Sequence, residues 1–296
     1  MSKITVIYHS ADYDGVFCRE IARIFLPGAE LIGWDFKDGP MQFPEADEVY
    51  VLDLPIKRLF TPDTLPIAYE DIIWIDHHKS SIEEASANIF GYRIDGVAAC
   101  RLTWQWFMLR DKHINQLPKK EDYINRQVLE PLAVRLAGEY DVWDLRGEGE
   151  LEFQFGLDAS IENERLDWDY ILTIGDTKRY IDDLLKEGGA AMACIAKRDA
   201  DIVRERSFLA EFEGLVFLCL NTARCNSQTF KVRDVPKTGH EALMAFYWNG
   251  KRWLISMYHA SHRKDLDLSK IAIKYGGGGH KGACGFSTLL RLPFIP

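Results

Sequence analysis

The chain has no two cysteines spaced closely enough for a zinc knuckle or a redox dithiol. Its six cysteines, Cys18, Cys100, Cys194, Cys219, Cys225 and Cys284, are scattered through apolar contexts. That is the pattern of reduced cysteines packed as small apolar residues, not of a disulfide framework. No apolar run reaches the ~18 residues that a membrane span requires. The opening residues, MSKITVIYHSADYDG, carry neither the apolar core nor the small-residue cleavage site of a signal peptide. A cytoplasmic location without membrane contact is therefore expected. Internal repeats and low-complexity segments are also lacking. A net charge of −9 argues against a general nucleic-acid coat protein, which would need a basic surface.

What is present fits an ordinary globular chain. Of 296 residues, 47% are apolar and 27% charged, enough for a sizeable core and, at this length, for two domains. The charge is uneven. From Lys251 onward there are eight basic residues and two acidic ones, so this segment is +6 and the rest of the chain −15. A solvated basic face and an anion-binding end facing an acidic, metal-binding one both fit this asymmetry, and the motifs must decide.

Short apolar runs at 4–10, 29–36, 48–55 and 72–78 read as strands. They are separated by helical patterns at 15–25, in KRLFTPD and in ACRLTWQWFML. Strands alternating with helices predict an α/β fold, with a mainly parallel sheet and helices on both faces. Residues 120–145 read as helical, and a long charged helical stretch runs from about 175 to 213, weakened at Gly188-Gly189. Beyond it, LVFLCLN, ALMAFYWNGKRWLISMYHA and ACGFSTLL read as strands, with Asn249-Gly250 as a hairpin turn. The expected organisation is a first domain over 1–180, a helical connector over 181–213 and a smaller α/β domain over 214–296. The aromatic helix carrying Trp104, Trp106 and Phe107 is read as buried packing rather than as a stacking face for bases.

Carboxylates and imidazoles gather at the predicted strand ends. HSADYDG follows the first strand and supplies His9, Asp12 and Asp14. Asp53 follows the third. IDHHK supplies Asp76, His77 and His78 after the fourth, and AGEYDVWD adds Asp141 near a helix end. In a parallel α/β sheet the carboxyl ends of the strands form the binding crevice, where distant residues converge. Taken singly, each of these acids would be a turn residue or a helix cap. As a set, hard carboxylates with imidazole and no thiolate suit Mn²⁺ or Mg²⁺, with iron or cobalt as further candidates. Two such ions sharing a carboxylate suit displacement at phosphorus.

These stretches resemble the four motifs of the DHH phosphoesterases: HSADYD, Asp53, DHH and Asp141. GGGGHKGACGF over 276–286 resembles the glycine-rich motif of the associated DHHA1 domain. The resemblance covers nearly the whole chain and implies a two-domain hydrolase with its active site in the cleft between domains. It implies that His9, Asp12 and Asp53 hold one metal. Asp14, His77, Asp141 and again Asp53 would hold a second, as two Mn²⁺ ions with Mg²⁺ or Co²⁺ as alternatives. It assigns His78 to the scissile phosphate or the leaving group, and Asp76 to orienting an imidazole.

Gly277, Gly278 and Gly279 would bring backbone N–H groups to a substrate anion, helped by His280, Lys281 and Arg263. Where relatives often place an arginine ahead of the glycine motif, this chain has Tyr258; Arg263, His259 or His262 are the candidates to compensate. The H-x-x-H spacing of His259 and His262 is read as incidental rather than as a third metal site. The short two-domain form is most similar to nano-RNases and nucleotide phosphoesterases acting on short single-stranded oligonucleotides or nucleotides. A cyclic-dinucleotide phosphodiesterase and a non-catalytic nucleic-acid-binding scaffold of the same fold are the alternatives. A homodimer is compatible with this reading.

Overall fold

The computed structural model describes residues 2–60, 71–84, 89–109, 116–162, 165–223, 225–227, 229–230 and 239–290. It divides into two compact units, Met1–Ala191 and Met192–Pro296. In the first, β1 (Ile4–His9), β2 (Glu30–Trp34), β3 (Glu48–Leu52), β4 (Ile72–Asp76) and β5 (Gly91–Arg93) form one sheet in the order β2-β1-β3-β4-β5. Every neighbouring pair is parallel. Between and after the strands come α1 (Tyr13–Phe25), the short α2 (Ile56–Leu59) and α3 (Lys79–Glu84), and then α4 (Ala99–Leu109), α5 (Lys120–Ile124), α6 (Leu132–Asp141), α7 (Glu150–Glu162) and α8 (Trp168–Ile171). The part of KRLFTPD beyond Phe60 lies outside the described residues.

The strands are apolar on both faces because both faces are covered. Val6, Tyr8, Tyr50, Leu52, Ile73 and Ile75 pack with Phe17 and Ile21 of α1, Leu102 and Trp106 of α4, and Val134 and Ala137 of α6. The alternate residues Ile7, Val49, Val51, Ile72 and Trp74 pack with Ile56 and Leu59 of α2 and with Phe60. Trp104, Trp106 and Phe107 are all buried in this core. The topology fixes where a site can form. The chain leaves β1 for β2 on one side and returns to β3 on the other. Strand order therefore reverses between β1 and β3, opening a crevice outside their carboxyl ends.

Two details differ from the sequence pattern. Residues 120–145 form α5 and α6 rather than one helix, because Pro131 at the start of α6 cannot continue a helix from upstream. The long helix α9 (Lys178–Arg206) runs straight through Gly188-Gly189. These glycines do not break it. A Cβ on Gly188 would lie 1.7 Å from the carbonyl oxygen of Glu152, so the residue lets α9 pack closely on α7.

In the second unit β6 (Phe208–Phe212), β7 (Leu215–Asn221), β8 (Ala242–Trp248), β9 (Trp253–His259), β10 (Gly278–His280) and β11 (Ala283–Thr288) make a sheet ordered β10-β11-β9-β8-β7-β6. All pairs are antiparallel except β7 with β8. Helix α10 (Ser269–Lys274) contributes Ala272 to one face, and Val203 of α9 packs on Leu218 and Leu220 of the other. Asn249-Gly250 is the β8–β9 hairpin turn, with the Asn249 carboxamide oxygen accepting from the Lys251 and Arg252 amides. The division between units falls inside α9, and the 181–213 segment comprises most of that helix and β6.

The two helix glycines make a paired test. Gly188→Ala is expected to lower stability by about 1–3 kcal/mol, because the added methyl meets backbone. At Gly189 the nearest atom is the Glu152 Cγ, at 3.8 Å, so Gly189→Ala is expected to be neutral or to stabilise by up to ~1 kcal/mol through helix propensity. Urea denaturation of the two variants measures both.

Candidate metal centre

The site begins with a tight connection. His9 ends β1, and α1 starts only a few residues later. Asp12 caps that helix by accepting from the Gly15 amide at 3.1 Å. A Cβ at residue 15 would lie 1.9 Å from the His9 carbonyl oxygen. Only glycine lets the helix start this close to the strand end, and the closeness puts Asp12 and Asp14 beside His9. Asp53 follows β3 in the left-handed region, with φ of 59°. A non-glycine residue there is strained by roughly 1–2 kcal/mol, and such strain is commonly found at functional sites.

The ligand candidates converge in two groups that share one carboxylate. His9 Nδ1 is 2.9 Å from Asp12 Oδ2 and 3.5 Å from Asp53 Oδ2. His77 Nε2 is 3.4 Å from Asp53 Oδ1, 3.5 Å from Asp14 Oδ2 and 3.4 Å from Asp141 Oδ2. The two oxygens of Asp53 thus face different imidazoles. Donor atoms of His9, Asp12 and Asp53 lie within 4.8 Å of one another, as do those of Asp14, His77 and Asp141.

The donor set fits divalent ions. Both ring nitrogens of His9, Asp53 Oδ1 and Asp141 Oδ2 are buried without a hydrogen-bond partner among the described residues, since the 2.9 Å approach of Asp12 lacks hydrogen-bond angles. Buried polar atoms left this way are rare unless something else satisfies them.

Charge tells the same story. Burial alone would lower the pKa of His9, but the carboxylates of Asp12 and Asp53 outweigh it and raise the group to about 10. At His77 burial is again overcome, here by Asp53, Asp14 and Asp141, and the pKa rises to about 10. Burial would raise Asp53, but the His77 and His9 rings bring it down to about 2. Asp14, desolvated and beside Asp53, is pushed up to about 7. Burial raises Asp141 well above the usual carboxylate range. Protons on the imidazoles supply the positive charge that this cluster of acids needs.

Asp76 and His78 stand apart from this pattern. Asp76 Oδ1 accepts from the His77 amide at 2.7 Å and the His78 amide at 3.1 Å, and lies 2.8 Å from His78 Nδ1. His78 Nδ1 also comes within 3.6 Å of Asp53 Oδ1, and the ring belongs geometrically to a third group with Asp53 and His77. Its short contact is with Asp76, however, which leaves Nε2 as its available nitrogen. Burial lowers the His78 pKa and Asp76 raises it, with a net rise.

Asp14 has a further task that its motif does not reveal. Its two oxygens accept from the Ala99 and Cys100 amides at 2.8 and 2.7 Å, tying α1 to the start of α4. Sequence reasoning also missed Asp35, whose Oδ1 is 4.0 Å from His9 Nε2, and Phe36, whose ring meets His9 edge-on at 5.7 Å.

In the second unit the proposed substrate-binding residues divide. Gly278, Gly279 and His280 form the edge strand β10, paired with Gly285, Cys284 and Ala283. A Cβ on Gly277 would sit 2.1 Å from the Gly285 carbonyl oxygen, so part of this glycine run serves sheet packing. The side chains of His280 and Lys281 form no hydrogen bond or close ion pair with another described residue, although the Lys281 charge acts on Asp265 and Asp267. Arg263 is engaged: Nη1 donates to Glu241 at 2.6 Å and Nε to Asp265 at 3.0 Å. Tyr258, at the expected arginine position, donates to the Cys225 carbonyl at 2.9 Å. His259 and His262 turn Nε2 to the carbonyls of Leu266 and His240, and neither belongs to a metal-binding group among the described residues.

The raised imidazole pKa values predict proton release on metal binding. The surrounding carboxylates raise His9 and His77, and burial raises Asp141, so loading both groups with Mn²⁺ at pH 8 should expel protons, at least one per protein. Calorimetry in two buffers of different ionisation enthalpy measures the number. The folded pKa of His9 and His77 lies above the ordinary value of 6.5. Their contribution to the stability of the metal-free fold is therefore complete below pH 6.5 and is lost as the pH rises through 10. Release at pH 8 close to zero contradicts this account.

No protein-family model and no curated protein matches the chain. Solved structures do. An exopolyphosphatase-related protein from Bacteroides fragilis aligns over 98% of this chain and 88% of its own, at 13% identity and a TM-score of 0.52. A DHH domain from a protein described as a member of a family of ribosomal proteins aligns over 96% and 82%, at 14% identity and a TM-score of 0.52. A pGpG-specific phosphodiesterase from Vibrio cholerae aligns over 96% and 92%, at 15% identity, with a TM-score of 0.48 that is too low to carry an argument. What these likenesses establish is the fold, a two-unit α/β architecture of the DHH type.

Proposed function

We propose that the protein is a DHH/DHHA1-type phosphohydrolase that uses two divalent ions, Mn²⁺ by preference, to cleave phosphodiester or phosphomonoester bonds in short oligonucleotides or nucleotides. The observation that carries this reading is Asp53, with one oxygen toward His9 and the other toward His77. His9, Asp12 and Asp53 would hold one ion, and Asp14, His77, Asp141 and Asp53 the other. Bound ions would supply Lewis acidity toward phosphate oxygens and acidify water.

The chain's own residues do the rest. Asp76 holds the His78 ring by Nδ1 and favours its protonated form, so Nε2 is available to donate to a phosphate oxygen or to the departing oxygen. His280, Lys281 and the ion-paired Arg263 in the second unit bind substrate anion.

Asp53→Ala is expected to abolish turnover and to lower metal occupancy at both positions while leaving a folded protein. His78→Ala is expected to keep its metal and to lose about 10²–10⁴-fold in kcat. Elemental analysis beside assays on bis-nitrophenyl phosphate and dinucleotides measures both. A folded Asp53→Ala protein with full activity contradicts the shared-carboxylate site.

His280→Ala is expected to raise KM for nucleotides far more than for bis-nitrophenyl phosphate, whose small anion needs no second grip. Wild-type affinity for nucleotides should also fall gently with salt, as a few phosphate contacts dictate. Equal loss on both substrates would place His280 in the fold or in the core chemistry instead.

A further inference from the structure

Beside His78 lies a pocket of about 90 Å³ lined by Phe36, Arg58, His78, Ser80, Ser81 and Glu84. It belongs to the first unit, and two of its lining residues contact the metal centre. Phe36 packs edge-on against His9, and the His78 ring lies 4.5 Å from that of His77. None of Phe36, Arg58, Ser80, Ser81 and Glu84 has a role in the chemistry described above.

Two features of the pocket point to its ligand. Phe36 is a large aromatic ring left 51% exposed, although Trp34 and His9 support it edge-on from within. Supported but uncovered, it offers a face for a planar ring to stack on. Arg58 and Glu84, both exposed to solvent, line the pocket without forming an ion pair, and neither side chain bonds to another described residue. A cation and an anion that line one small space unpaired suit a ligand that carries acceptors and donors on separate edges. A phosphate alone does not meet this description, because Glu84 would repel it.

We propose that this pocket is a guanine subsite that positions one base of the substrate next to the reacting phosphate. The proposal rests on the phosphohydrolase reading and deepens it. Guanine presents O6 and N7 as a paired acceptor edge for an arginine fork. Its N1–H and 2-amino group form an adjacent donor pair for a carboxylate, which accepts two bonds side by side. Adenine lacks that donor pair, and the pyrimidines offer a smaller face to Phe36. The hydroxyls of Ser80 and Ser81 complete the polar lining and can donate or accept.

The test compares guanine and adenine substrates that differ in nothing else. For the wild-type protein with Mn²⁺, kcat/KM for the dinucleotide pGpG should exceed that for pApA by roughly 10–100-fold, the discrimination expected of a good bidentate base contact. Glu84→Gln and Arg58→Ala should each bring that ratio close to one, mainly by raising KM for pGpG. Phe36→Ala should weaken both dinucleotides alike and leave the ratio standing, because stacking does not distinguish the bases. Direct titration with GMP and AMP should show the same ranking. Turnover of bis-nitrophenyl phosphate by the wild-type protein separates the two ways to fail. If the generic ester is cleaved but the pGpG to pApA ratio is near one, or is unaltered in Glu84→Gln, the subsite is overturned and the phosphohydrolase reading stands. If no ester is cleaved, the reading falls and the subsite with it.

Discussion

Asp53 is a carboxylate with 2% exposure, and a buried carboxylate must be met by positive charge or by hydrogen bonds. Its partners are two imidazoles on opposite sides, from β1 and from the residues after β4. The backbone amide of Asp53 donates to the Ile75 carbonyl at 2.9 Å, carrying the strand ladder one step past the end of β3. That bond fixes the strained residue against β4, so its side chain lies between the two histidines. The sheet order, with β3 between β1 and β4, is what makes such a placement available. Asp14 and Asp141 then close around His77 from α1 and α6. Four ionisable side chains are thereby arranged around the requirement of one.

Much of this centre is legible in the sequence because the sheet is parallel and buried. Such strands are nearly continuous apolar runs, so ITVIY, EVYVL and IIWI end where polar residues begin. His9, Asp53 and Asp76 mark those ends. The convergence then follows from the rule that parallel strands expose their carboxyl ends to one crevice. Phe36, Arg58, Ser80 and Ser81 were not legible for the opposite reason. They sit in a turn and in two helices of six residues or fewer, and nothing in their spacing distinguishes them from solvated surface. Only the packing of α2 beside α3 brings them together. Asp14 was legible as an acid after a strand, but not as the cap of α4, because that bond joins residues 85 and 86 positions apart.

The second unit shows where counting charges falls short. The segment from Lys251 is formally +6, yet Arg263 is paired with Glu241 and Asp265, and Lys274 with Glu213 at 2.6 Å. Two of these acids lie upstream of the segment, so its local charge is less positive than its composition suggests. The glycine run likewise has two readings in one stretch. Gly277 is small because the strand beside it is close, and β10 pairs with β11 by backbone bonds alone. Both constraints operate whether or not an anion binds. Of this stretch, His280 and Lys281 are the side chains that sheet packing does not account for.

The adjacent histidines after β4 have similar sequence surroundings but different partners, and Asp76 makes the difference. It is fully buried, and its Oδ1 faces both following amides and His78 Nδ1. A carboxylate that grips the backbone just after itself can reach the ring two residues on. The ring one residue on is left to the carboxylates across the crevice, and His77 Nε2 accordingly sits among Asp14, Asp53 and Asp141. The three acids around His77 outdo burial and raise its pKa to about 10, where a proton is held too tightly to be given up near neutral pH but can be displaced by a divalent ion. At His78 two carboxylates, Asp76 at 2.8 Å and Asp53 at 3.6 Å, oppose the burial and the repulsion from His77, with a net rise. The more exposed of the two rings is the one suited to proton transfer with a substrate. The physical basis for assigning one histidine to metal and its neighbour to substrate is therefore the number of carboxylates each ring faces.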